Sequence, residues 1–285
     1  MDLNDQSVLA LRAPETDGSS EGTLYGLIDH AAIPMLTRTL TRMGVSWQSL
    51  FEGSRNAGAL EVAPILVPIR YRDNQLIPHS ALKWVCQRGQ FTSSLLFLES
   101  RLSAPELARR LAFRIDVTLP DDFEVVFRYF DSRVFETAMG ILDGLQRNNF
   151  LSIATAWWYV TRSGELVKVS QDSVEPTQTD QPLLLNVAQE SKFLEMSEVD
   201  NVIGLIREYL NHQYEAILPK DRHNVISRHV HAAHQHGIQA PHELALYCCL
   251  VLENGDDYFE CGRGKAVLME MREKSINLTE VVQNC

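Results

Sequence analysis

The chain has 285 residues, 45% of them hydrophobic and 22% charged, a balance that fits an ordinary globular protein and excludes a disordered or fibrous one. Its formal charge of −11 is uneven, because residues 171–285 hold 18 acids against 9 bases; this argues against nucleic acid as a partner, since phosphate contacts need clustered Lys and Arg. The five cysteines, Cys86, Cys248, Cys249, Cys261 and Cys285, contain no CxxC pair, so neither a disulfide framework nor a zinc knuckle is expected, and a reduced cytoplasmic setting suits them.

Residues 1–22 are polar and rich in Gly, Ser and acids, which predicts a flexible leader without the basic and apolar regions of a secretory signal. No apolar run approaches the roughly 20 residues that cross a bilayer, so no membrane insertion is expected. Residues 24–28 read as a strand and 31–43 as a helix ended by Gly44. Residues 45–51 look extended, 62–71 form a β-branched strand, and 79–87 a helix with Leu82, Val85 and Cys86 on its apolar face. A strand over 91–98 follows. Ser103 and Glu106 have capping-box spacing with Pro105 inside the first turn, which predicts a helix through Leu107 and Leu111. Strands over 114–119 and 124–130 turn at Pro120 to Asp122, a helix covers 134–145, and a hairpin joins 154–161 to 165–169 through Ser163 and Gly164. Residues 171–182 have no periodicity and mark a linker. Helices over 193–218, 223–236, 241–253 and 265–274 complete the chain. The expected architecture is an α/β (α+β) lobe with a mixed sheet over residues 23–170, followed by a mainly α-helical, acidic lobe over 183–285.

Five segments in the first lobe carry a resemblance: LYGLIDHA from Leu24, SLFEG from Ser49, EVAPILVPI from Glu61, HSALKWVCQRG from His79 and FRYFDSRVF from Phe127. In this order and spacing they resemble successive landmarks of the adaptor chaperones of type VI secretion effectors, the Tec or Tap family of Gram-negative bacteria. One departure is Ser132, where that family commonly has proline. The resemblance implies a cytoplasmic, non-enzymatic protein with no cofactor. Such a protein binds a cognate toxin effector at the effector's N-terminal region, apolar or adjacent to a PAAR domain, and promotes loading onto the VgrG spike, with VgrG as a further candidate partner.

Candidate partner-binding residues are Trp47, Phe51, Glu52, Trp84, Arg128, Asp131, Arg133, Trp157 and Trp158. The aromatic members would line a hydrophobic groove for an effector helix, although aromatic residues in strands more often build cores. Arg128, Asp131 and Arg133 would present a charged surface, but a carboxylate at a strand-to-helix junction more commonly caps the helix, and that role is preferred for Asp131. Seven histidines between His212 and His242 lack metal-site spacing, and their number suggests that partner binding is sensitive to mild acid. Gly262 to Lys265 imitates a phosphate loop, but Phe259 stands where its first glycine belongs. An immunity protein that neutralises a toxin is the alternative binding function, and a hydrolase the enzymatic one.

Overall fold

The computed structural model describes residues 22–70, 77–170, 181–274 and 276–283. The expected leader (residues 1–22, apart from Gly22) and most of the expected linker (171–180) lie outside the described residues. The chain divides into two compact units, Met1–Phe193 and Leu194–Cys285.

The first unit is built on an antiparallel sheet of order β2-β3-β1-β4-β7-β8, where β1 is Thr23–Asp29, β2 Gln48–Ser49, β3 Pro64–Arg70, β4 Leu95–Ser100, β7 Ala156–Val160 and β8 Leu166–Lys168. Both of its faces are covered. Side chains alternate along a strand, so β1 sends Tyr25 and Leu27 into one apolar core and Leu24 and Ile28 into the other. β4 does the same with Leu96 and Leu98 against Leu95 and Phe97. One core is closed by helices α1 (Leu36–Arg42) and α2 (His79–Gly89), through Leu36, Leu40, Leu82, Val85 and Cys86. The other is closed by α3 (Ala104–Phe113), α4 (Ser132–Ile141) and α5 (Gly144–Leu151), and by a small sheet of order β6-β5-β9. In that small sheet β5 (Asp116–Thr118) pairs antiparallel with β6 (Glu124–Val126) and parallel with β9 (Leu183–Leu184). The mixed pairing is therefore confined to the small sheet.

Several boundaries differ from the sequence expectation for local reasons. The first helix begins at Leu36 rather than residue 31, because Pro34 holds Ile33 extended (φ −122°, ψ 95°) and Met35 takes a left-handed turn (φ 65°). Residues 134–145 are not one helix: α4 stops at Ile141, Leu142 is extended, and Asp143 caps a new helix, α5, that was not foreseen. Ser103 occupies the cap position of α3 but makes no side-chain capping bond; Glu106 turns instead to Arg109, through bonds of 2.8 and 3.2 Å. Capping boxes form at two other places. Asp143 accepts from the Gln146 amide at 2.9 Å while Gln146 Oε1 accepts from the Asp143 amide at 3.1 Å. Asn186 and Gln189 repeat the pattern at 3.0 and 3.1 Å, starting α6 (Val187–Tyr209) before the expected residue 193. The boundary between the units falls inside α6.

The second unit comprises the rest of α6 with α7 (Asn211–Ala216), α8 (Arg222–Gln235), α9 (Pro241–Asn254), α10 (Gly262–Lys274) and α11 (Leu278–Gln283). Its core holds Val202, Ile206, Ile226, Val230, Leu244, Cys248 and Val251, and Tyr247 stacks on Phe259 with centroids 4.2 Å apart. The histidines of α8 and the residue after it reach different neighbours. His229 lies 3.6 Å from Asp256, His234 is 2.9 Å from Glu198 and 3.0 Å from the Ile238 carbonyl oxygen, and His236 is 3.4 Å from Arg272. Among the described residues no group of three or more His, Cys, Asp or Glu is arranged to hold a metal ion, and no helix is long and apolar enough to cross a membrane.

Burial lowers the pKa of His229, which Asp256 partly offsets, and burial and Arg272 together lower that of His236. The unfolded chain binds protons that these rings refuse when folded, so their contribution is complete above pH 6.5, the ordinary histidine value, and declines as pH falls below it. Urea unfolding of the second unit followed from pH 8 to 5 should show this loss, and His229→Leu should flatten it relative to the unmodified chain.

Candidate partner-binding site

FRYFDSRVF is mainly an internal structure. Phe127, Tyr129, Phe130 and Phe135 are buried, and they join Phe150, Trp157 and Phe193 in a chain of ring contacts with centroids 5.0–6.4 Å apart. The Tyr129 hydroxyl donates to the Leu111 carbonyl at 2.8 Å, and burial raises its pKa. Asp131 is buried and caps α4, accepting from the Arg133 amide at 3.0 Å and from the Arg133 guanidinium at 2.6 Å. The more exposed Arg133 is thus held against its own helix start.

Arg128 reaches across the fold to Asp29, 2.9 Å away. Asp29 is buried at the end of β1, where its carboxylate also accepts from the Ala31 amide at 3.1 Å and its own amide donates to the Ser94 carbonyl at 2.9 Å. The first and last landmarks of the resemblance are therefore joined by an ion pair. Ser132, where proline is common in the family it resembles, donates its amide to the Ser93 carbonyl at 2.8 Å and its hydroxyl to the Val160 carbonyl at 2.6 Å. Proline could make neither bond.

The five aromatic candidates do not converge on a groove. Phe51 and Trp157 are buried in the core on one face of the large sheet. Trp84 and Trp158 pack, partly buried, on the opposite core. Trp157 is wholly buried and donates to the Leu151 carbonyl at 3.0 Å, so it presents no surface to a partner. Trp158 lies under Lys168, whose ammonium is 5.4 Å from the ring centroid. Trp47, 38% exposed, donates to the Thr41 hydroxyl at 3.1 Å.

Glu52 belongs to a different feature, a cleft of about 310 Å³ between the SLFEG turn and α3. Leu50, Ala108, Ala112 and Phe113 supply apolar lining, with Arg55 and Asp116 at one side. The turn is held by its own side chains: the Phe51 amide donates to Ser49 Oγ at 3.2 Å, and Ser54 Oγ donates to the Phe51 carbonyl at 2.9 Å. Gly53 follows with φ 72°, a conformation that costs glycine little and other residues more. Sequence reading gave Gly53 and Glu52 but not the cleft, because α3 lies some fifty residues along the chain and only folding brings it opposite the turn.

Residues 24–149 match the model of a family described as a domain of unknown function, DUF4123. No curated protein and no solved structure matches the chain. The matched span contains all five landmark segments, the cleft, and both ends of the Asp29–Arg128 pair.

Ser132→Ala should lower unfolding free energy by about 1 kcal/mol, and Ser132→Pro by more, because it also removes the amide bond to Ser93. Denaturant titration of the three proteins checks the order; equal midpoints would mean these bonds contribute nothing net.

Proposed function

We propose that the chain is an adaptor chaperone for a type VI secretion effector. The observation that carries this reading is that the five landmarks resembling such adaptors fall, in order, inside the span matched to DUF4123. On this reading the protein works in the cytoplasm as a binding protein rather than an enzyme. It shields the effector's aggregation-prone N-terminal region, delivers the effector to the VgrG spike and stays behind. An effector with exposed apolar helices would otherwise associate with other chains before loading. The bonds that Asp131 and Arg133 make to each other favour a scaffold role for them, and on this reading the surface that selects the effector lies elsewhere.

Deleting the gene in the bacterium that carries it should abolish secretion of one effector and move that effector into the insoluble fraction, while secretion of the spike itself continues. Pull-down with the full chain, followed by mass spectrometry, should recover the same effector. Normal secretion and solubility in the deletion strain would overturn the proposal, and self-killing of that strain would favour an immunity protein.

A further inference from the structure

The cleft beside Glu52 is too small for a helix and suited to one large side chain: about 310 Å³ is the low end of the range for ligand pockets. Leu50, Ala108, Ala112 and Phe113 give it apolar walls, and Phe113 is still 37% exposed, so an apolar side chain entering there would cover surface now open to water. Its charged lining residues are Glu52 and Asp116 against Arg55 and Arg109. Arg55 lies 2.7 Å from Asp116 and also meets Glu124, and Arg109 holds Glu106 through two bonds. Both lining guanidinium groups thus already face carboxylates, which leaves Glu52 as the lining carboxylate not engaged by either of them. Glu52 is exposed and has no hydrogen-bond or ion-pair partner among the described residues. Because the SLFEG turn is fixed by its serine bonds, the Glu52 backbone is already placed at the rim and only its side chain is left to order on binding.

We infer that this cleft docks a segment of the partner protein carrying one bulky apolar side chain with Lys or Arg within one helical turn of it. The inference deepens the adaptor reading and rests on it. The apolar side chain fills the space against Phe113 and Leu50, and the cation pairs with Glu52. An acidic segment is disfavoured by the same carboxylates.

The full chain, immobilised, is challenged with a phage-displayed library of random linear peptides. The unmodified protein should enrich peptides that combine Trp, Phe, Leu or Met with a nearby Lys or Arg. A synthetic peptide of that kind should bind about tenfold more weakly to Glu52→Lys and to Phe113→Ser, and less weakly to Glu52→Gln than to Glu52→Lys. Both positions are exposed, and circular dichroism melting confirms that the variants fold. Absence of enrichment over a blank surface, enrichment of peptides without basic residues, or binding by either variant as tight as by the unmodified protein would overturn the inference. In the pull-down, effector capture by the unmodified chain but not by Glu52→Lys supports the cleft. Equal capture by both overturns the cleft and leaves the adaptor reading standing, and loss of capture by the unmodified chain overturns the adaptor reading itself.

Discussion

Burial of the six-stranded sheet on both faces is the constraint from which the first unit follows. A strand with one wet face alternates apolar and polar residues, whereas β1 and β4 must be apolar on both sides and divide their side chains between two cores. A register slip of one residue would exchange the two sets, setting Leu24 and Ile28 against helices shaped for Tyr25 and Leu27. What holds the register is the turn end of the sheet, where Asp29, Ser93, Ser94, Arg128 and Ser132 are tied by backbone and side-chain bonds. The conspicuous charged motif is thus largely a fastening for the sheet.

This changes the sense of the resemblance. FRYFDSRVF belongs to the scaffold of the first unit, because its aromatic rings and its cap are structural. The SLFEG turn is different. Its serines are spent on the turn itself, and Glu52 is left facing solvent.

Much of the α/β pattern was legible because apolar spacing is strong where both faces of an element are buried, as in β3 and β4. That the five aromatics could not all line one groove was also in the sequence: Trp157 and Trp158 are neighbours in a strand and point to opposite faces. The caps were legible too, though the weight fell on the wrong one. Asp143 with Gln146 and Asn186 with Gln189 have the same spacing as Ser103 with Glu106, and they form the boxes, whereas Arg109 draws Glu106 away. The Asp29–Arg128 pair and the cleft were not legible, since each joins segments distant in the chain.

Cys86 is sealed in the first unit and Cys248 in the second, and burial pushes each thiol up to about 12. Since thiolate is the reactive form, both are nearly inert in the folded protein, while Cys261 lies exposed. Cys86 and Cys248 are therefore silent reporters, one from each unit: the appearance of alkylation at either marks the opening of its own unit and times the two openings independently, without any introduced label.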